Sequence, residues 1–160
     1  MKKINLDKFY RWQKELDEEI LKKHHLTFKE TAHHRLLALI VELGEFANET
    51  RCFKFWSQKK DVDKQKINLE YADAFHFFLS LGHYFPKCQK SYFLKKPENF
   101  FFQLLKVFSE TNRLIKNFSL SQYQKAFRCF LQLSFFYQID INRYYLQKRK
   151  ENFRRQKNNY

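Results

Sequence analysis

The sequence predicts an all-α fold, a bundle of about five or six helices, and two observations support this prediction. The chain has only two glycines and two prolines, which leaves few residues for the tight turns that join β-strands. Its long segments are rich in Leu, Phe, Lys and Gln, and their apolar residues recur at helical spacing. With 160 residues the chain can bury a substantial core, so we expect a single domain over residues 1–160.

The first helix is predicted over residues 6–23, with Asn5 as its cap. Its apolar residues share one face: Leu6, Phe9, Leu16 and Ile20. Gln13 lies on the same face. Because a buried amide without partners costs about 1 to 3 kcal/mol, Gln13 either forms hydrogen bonds within the core or binds a polar ligand.

The remaining helices are marked by their capping residues. Thr27 and Glu30 form a capping box before a second helix over residues 28–50. A third helix over 64–81 ends at Gly82. A fourth begins near Pro97, a fifth near Ser119, where Ser119 and Gln122 form a second capping box, and the last after Asp140.

The chain is strongly basic. Lys and Arg outnumber Asp and Glu by 31 to 17, a formal net charge of +14, which would suit a nucleic acid, a membrane surface or a phosphorylated small molecule. However, Lys, Asn, Phe, Tyr and Ile are also the residues that AT-rich codons specify. Net charge therefore does not select among these partners.

Cysteine usage and the apolar runs indicate a cytoplasmic protein. Cys52, Cys88 and Cys129 are odd in number and lack CxxC spacing, which favours reduced thiols. The N-terminal lysines are followed by no apolar leader, and the longest aliphatic run, LLALIV, is too short to span a membrane. We expect neither export nor membrane insertion.

Two successive predicted helices carry acids at matching spacing. Positions i, i+3 and i+7 share one helix face, and two helices place functional side chains there: Glu42, Glu45 and Glu49 in the second, and Glu70, Asp73 and Phe77 in the third. If these helices pack side by side, four carboxylates converge: Glu42, Glu45, Glu70 and Asp73.

Gathered carboxylates need compensation. Two like charges about 6 Å apart repel by roughly 3 kcal/mol at an effective dielectric near 20, so four could cost on the order of 10 kcal/mol. Protonation relieves this, as do hard divalent cations such as Mg²⁺, which also suit phosphate substrates. Alternatively these acids face solvent and balance nearby lysines, although the apolar sequence around both pairs favours a pocket.

The last predicted helix carries a row of cationic and amide side chains on one face, in contrast to the acids of the second and third helices. Lys148, Asn152 and Arg155 lie at i, i+4 and i+7, with Tyr160 beyond them. Such a row fits phosphate oxygens, to which Arg offers two parallel donors. A solvated basic tail is the alternative interpretation.

Four stretches occur in the order and approximate spacing of a known family: WQKELDEEI, ELGEFANETRCFKFW, EYADAFHF and YLQKRKENFRRQKNNY. In them the chain resembles the dimeric all-α dUTP pyrophosphatases, relatives of the MazG-like nucleotide pyrophosphatases. The resemblance implies hydrolysis of dUTP, and of dUDP, with two or three Mg²⁺ ions in a cytoplasmic homodimer. Such an enzyme limits uracil incorporation into DNA and supplies dUMP for thymidylate synthesis.

The resemblance also implies roles for individual residues. The metal ligands would be Glu42, Glu45, Glu70 and Asp73, and the catalytic carboxylates Glu42, Glu45 and Glu49. The base would be bound by Gln13 and enclosed by Trp56, with Phe77 under the deoxyribose. The phosphates would be bound by Lys54, Lys148, Asn152 and Arg155, and Asn48 and Asp73 would also contact the substrate.

Two other functions remain possible from the residues. A MazG-like or dCTP-type pyrophosphatase would use the same metal site with a different base pocket, and Gln13 argues against it. A basic helical nucleic-acid-binding protein would fit the net charge, but four inward acids would repel a phosphate backbone.

Overall fold

The computed structural model describes residues 1–59 and 61–158 and confirms the all-α fold. This part of the chain contains six α-helices: α1 (Asp7–His24), α2 (Phe28–Thr50), α3 (Lys64–Gly82), α4 (Phe100–Lys116), α5 (Leu120–Leu131) and α6 (Ile141–Lys157). A short 3₁₀ helix, Gln132–Phe135, follows α5. None of the helices in the described ranges is both long enough and apolar enough to cross a membrane.

Most helix boundaries agree with the capping signals. The Thr27 side chain accepts a hydrogen bond from the Glu30 backbone, and the Glu30 carboxylate accepts one from the Thr27 backbone, which completes the capping box. Helix α1 begins at Asp7, one residue later than expected, with Leu6 rather than Asn5 at the N-cap, although the Asn5 side chain accepts a hydrogen bond from the backbone N–H of Asp7 at 2.8 Å. The expected start of the fourth helix near Pro97 was wrong by about three residues, because the Asn99 side chain caps α4 instead.

A small antiparallel sheet was not predicted. Strand β1 (Lys2–Asn5) pairs with β2 (Ser91–Leu94), with Ile4 opposite Tyr92. These strands are joined through three helices rather than by a hairpin, so the scarcity of turn residues carries no information about them. Ile4, Tyr92 and Leu94 are buried, and the sheet thereby attaches the N-terminus to the core.

Helix α3 lies at the centre of the bundle. It packs against α1, α2 and α6, and nearly every residue from Tyr71 to Gly82 is buried or half-buried. Aromatic rings connect it to α5: Phe78 stacks on Phe127 with centroids 4.9 Å apart, and Tyr71 on Phe130 at 4.4 Å. Such pairs add to the stabilisation from burial, so α3 is a rigid support for the side chains on its other faces.

Gly82 allows α1 and α5 to approach the end of α3. A Cβ at this position would lie 2.6 Å from Tyr10 Cε1 and 2.6 Å from the Tyr123 hydroxyl. Those two tyrosines share a buried hydrogen bond of 2.8 Å, and the Tyr123 hydroxyl also donates to the Phe78 carbonyl at 2.8 Å. The close approach of the two tyrosines to α3 therefore requires a residue without a side chain at position 82.

We expect Gly82→Ala to lower the free energy of unfolding by about 1 to 3 kcal/mol, since overpacking displaces both tyrosines. Gly44→Ala is the matched control, because a Cβ at this helical position meets no atom of its own chain within 4 Å. It should stabilise the protein by roughly 0.5 to 1 kcal/mol. Urea unfolding at one protein concentration measures both, and equal effects of the two substitutions would contradict the packing argument.

Candidate functional site

A cavity of about 540 Å³ lies between α1, α2, α3 and α6. Nine of the predicted site residues line it: Gln13, Glu42, Glu45, Glu70, Asp73, Phe77, Lys148, Asn152 and Arg155. The packing of α2 beside α3 thus brings together the two acidic faces, as their spacing predicted. The basic face of α6 and the amide on α1 lie at the same cavity.

Three carboxylates form a tight group. Each of Glu42, Glu45 and Glu70 places an oxygen within 4.8 Å of the others. Glu42 and Glu70 are half-buried and Glu45 is exposed, so the group lies at the wall of the cavity and is open to ligands.

Burial and mutual repulsion make these acids harder to ionise. Burial, with the charges of Asp73, Glu45 and Glu70 added, raises the pKa of Glu42 to about 7. Burial and the charge of Asp73 also raise the pKa of Glu70. The arrangement is therefore strained electrostatically when all the acids are charged.

The donor set fits a hard divalent cation. Such ions take oxygen ligands, and carboxylates close enough to share one ion are the usual protein contribution. A bound cation would also offset the repulsion that, together with burial, raises the pKa of Glu42. Glu42, Glu45 and Glu70 are the residues that would hold it.

Asp73 lies beside this group of three and is paired with α6, and its expected role as a fourth metal ligand stays a prediction. Its Oδ2 lies 2.6 Å from the Lys148 ammonium, and both side chains are largely buried. Burial raises the pKa of Asp73, and the ion pair offsets part of that rise. For Lys148 burial acts in the opposite direction, but the hydrogen bond and charge of Asp73 prevail and raise its pKa. The pair attaches α6 to α3 beside the acidic group.

The other members of the basic row also face the cavity. Asn152 and Arg155 line it, and Arg155 lies 2.6 Å from the Glu151 carboxylate. Tyr160, predicted to follow this row, lies outside the described residues. Lys148, Asn152 and Arg155 therefore present donors to any anion in the cavity.

Four predicted residues lie outside the cavity lining: Asn48, Glu49, Lys54 and Trp56. The Lys54 ammonium donates to Asn48 Oδ1 at 2.5 Å. Trp56 is 64% exposed and contacts Phe53 and Phe55 edge to face. The segment after α2 thus forms an exposed aromatic surface. The expected roles of these four residues, catalytic for Glu49 and substrate-binding for Asn48, Lys54 and Trp56, stay predictions.

Gln13 is buried and lines the cavity at the same time. Its amide nitrogen donates to Asp17 Oδ1 at 3.0 Å, and its oxygen lies 2.6 Å from His76 Nδ1 and 3.3 Å from the Tyr145 hydroxyl. The two interpretations of this residue, core amide and ligand-binding amide, are therefore compatible in one side chain.

Sequence reasoning missed the polar cluster behind Gln13. Asp17 is 2% exposed, forms an ion pair with Arg35 at 2.8 Å and accepts a hydrogen bond from Ser80 at 2.7 Å. His76 is also buried. The available signal was that Asp17 lies four residues after Gln13 on the buried face of the same helix.

The raised pKa of Glu42 makes the stability of the metal-free protein depend on pH. An unfolded Glu42 releases its proton near its ordinary pKa of 4.5, whereas the folded residue holds it until about 7. The folded state then binds more protons, so Glu42 lowers stability as pH rises through that window. We expect the melting temperature of the wild type, in chelator, to fall relative to that of Glu42→Gln between about pH 5 and 7.5.

Differential scanning fluorimetry over this pH range measures the difference. Glu18→Gln, an exposed substitution on α1, controls for the loss of a negative charge from a basic protein. If the melting temperatures of the wild type and Glu42→Gln change in parallel with pH, Glu42 ionises near its ordinary pKa in the folded protein.

Comparison with known protein families gives one finding. A family model described as dUTPase matches residues 5–160, nearly the entire chain. Neither the curated proteins nor the solved structures give a match. The matched range contains α1 to α6 and every residue of the cavity, and the chain belongs to the dUTPase family.

Proposed function

We propose that the cavity hydrolyses dUTP to dUMP and pyrophosphate with the help of Mg²⁺, and that dUDP is a second substrate. The family match supports dUTP hydrolysis. The observation that carries the assignment to this cavity is the group of three carboxylates opposite a row of cationic and amide donors. Such a cavity can bind both a divalent cation and a phosphate chain.

Different residues of the cavity would bind the metal and orient the phosphates. Glu42, Glu45 and Glu70 would hold Mg²⁺, which supplies charge neutralisation for the phosphates. Lys148, Asn152 and Arg155 would orient the phosphate chain so that water attacks the α-phosphorus in line, with a carboxylate of the cavity accepting the proton from that water. Asp73 would keep Lys148 charged and in place.

The base and sugar would lie toward α1 and α3. Gln13 would bind the uracil, and Phe77, which lines the cavity between Asp73 and Ser80, would pack under the deoxyribose. A dCTP-type or MazG-like specificity would need a different base pocket. A role in binding nucleic acid is less favoured, because the cavity presents acids that would repel an uncompensated phosphate backbone.

An apolar surface supports the proposed homodimer. Leu37, Val41 and Leu105 are at least half exposed on α2 and α4. Leu105 lines an apolar depression of about 290 Å³ together with Phe101 and Phe108. Apolar patches of this kind mark association surfaces. A monomer mass by light scattering at micromolar concentration would exclude the dimer. The three free cysteines fit the proposed cytoplasmic location.

We expect Glu45→Gln to abolish Mg²⁺-dependent release of pyrophosphate from dUTP while the fold is retained, because it removes a ligand charge and preserves the shape of the side chain. The assay uses dUTP, dCTP, dTTP and UTP with and without Mg²⁺, and circular dichroism checks the fold. Glu98→Gln, an exposed substitution near α4, should leave turnover unchanged. Turnover by Glu45→Gln close to that of the wild type would refute the metal assignment, and a wild type that prefers dCTP would refute the proposed substrate.

We expect Lys148→Ala to weaken nucleotide binding by about 1.5 to 3 kcal/mol, the range for a hydrogen bond to a charged group. Isothermal titration with a non-hydrolysable dUTP analogue and Mg²⁺ measures the loss. Lys150→Ala is the matched control, because Lys150 lies on the same helix, is exposed and does not line the cavity. Equal affinities for the two variants would make Lys148 a structural partner of Asp73 and nothing more.

A further inference from the structure

The hydrogen bonds around Gln13 determine the orientation of its side-chain amide, that is, which neighbours face the nitrogen and which face the oxygen. The Asp17 carboxylate is 2% exposed and paired with Arg35, and an ionised carboxylate can only accept hydrogen bonds. The atom of Gln13 that faces Asp17 at 3.0 Å must therefore be the amide nitrogen. The amide oxygen then faces His76 and Tyr145.

His76 must donate to that oxygen. Its Nδ1 lies 2.6 Å from Gln13 Oε1, and two acceptors at this distance would repel, so Nδ1 carries the proton. Burial lowers the pKa of His76 to about 3, which leaves the ring neutral at physiological pH with one N–H to give. Nε2 is then unprotonated and faces the Tyr145 carbonyl oxygen at 3.3 Å, a weaker repulsion than an unprotonated Nδ1 would meet at 2.6 Å from Gln13 Oε1.

Tyr145 supports the same arrangement in two ways. Its ring stacks on that of His76, with centroids 4.1 Å apart and planes 16° from parallel. Its hydroxyl lies 3.3 Å from Gln13 Oε1 and 3.4 Å from the Phe9 carbonyl oxygen, and it shares its proton between them. Both lone pairs of the Gln13 oxygen therefore face a donor.

One hydrogen of the Gln13 amide has no partner among the described residues. The nitrogen carries two N–H bonds, and one of them is used by Asp17. Since Gln13, Asp17 and His76 all line the cavity, the second N–H is available to a ligand there, whereas the oxygen is not. Gln13 thus presents a donor and no acceptor.

We propose that His76 is a positioning residue: together with Tyr145 it occupies the Gln13 oxygen, so that Gln13 offers only an N–H to the base and the site selects uracil over cytosine. This inference rests on the proposed function. Uracil has a carbonyl oxygen at position 4, which accepts the Gln13 N–H. Cytosine has an amine there, which would set donor against donor and leave buried groups unpaired.

This arrangement changes the expectation for Gln13 drawn from its chemistry alone. A free carboxamide can pair with a carbonyl and with the uracil N3–H at once, but here its oxygen is already occupied. If the His76 donor is removed, the oxygen regains a lone pair that can accept from the cytosine amine. Selectivity, rather than overall turnover, should then change most.

The test compares kcat/KM for dUTP and dCTP with Mg²⁺ present. His76→Phe keeps a flat ring against Tyr145 but removes the donor, and Tyr145→Phe keeps the ring and removes the hydroxyl. We expect the dUTP to dCTP ratio to fall about tenfold in His76→Phe and by a smaller factor in Tyr145→Phe, as for the loss of single buried hydrogen bonds. His76→Asn, whose amide nitrogen can replace Nδ1, should restore most of the ratio.

His83→Phe is the matched control. His83 packs edge to face against Tyr10 and Phe28 at the end of α3 and does not line the cavity, so its replacement should leave the ratio unchanged. A second readout is independent of activity: ¹⁵N spectra of the wild type should show His76 as the Nδ1–H tautomer.

Defined outcomes overturn the inference. It fails if His76→Phe keeps the wild-type ratio, if His76→Asn is no better than His76→Phe, or if the ring is the Nε2–H tautomer. Should His76→Phe not fold by circular dichroism, an unchanged ratio in Tyr145→Phe overturns it instead. A wild type that does not hydrolyse dUTP would refute the proposed function. A selective wild type whose variants stay equally selective would refute only the inference about His76.

Discussion

The repulsion among the carboxylates of α2 and α3 is the constraint on which the rest of the site depends. These helices pack directly on each other, with Phe46 of α2 against Tyr71 of α3. That apolar contact brings Glu42 and Glu70 together and half-buries them, and the pKa of Glu42 rises to about 7 as a consequence. The free energy that holds the acids together comes from burial of the aromatic core on the other side of α3.

Helix α6 supplies the opposite charge and is attached to the bundle at two positions, Lys148 and Tyr145. Lys148 forms the ion pair with Asp73, while Tyr145, one turn earlier, is fully buried among Phe9, Phe75 and His76. Buried ion pairs contribute little net stability because desolvation offsets their attraction. The apolar anchor at Tyr145 therefore fixes the helix, and the ion pair sets which face of α6 lies toward the acids.

The sequence predicted what depends on local spacing and missed what depends on distant partners. Helical periodicity and the Thr27 capping box located α2 to the residue, and the i, i+3 spacing identified the acids that meet in the cavity. The role of His76 was not predictable in this way, because its partners Gln13 and Tyr145 lie 63 and 69 residues away. The contacts of Trp56 were not predictable either. The sequence places this residue in the loop after α2, but no local rule predicts which surface an aromatic side chain of a loop will cover.

Gln13 shows why a buried polar residue in a cavity wall should not be assigned to either the core or the ligand alone. Without any partner, the buried amide would cost about 1 to 3 kcal/mol; fully paired, it could not bind a ligand. The structure satisfies its oxygen through His76 and one N–H through Asp17. The remaining N–H has no partner among the described residues and is left for a ligand. A base carbonyl then gains a hydrogen bond from an amide that is already oriented, so binding carries little further cost of ordering that side chain.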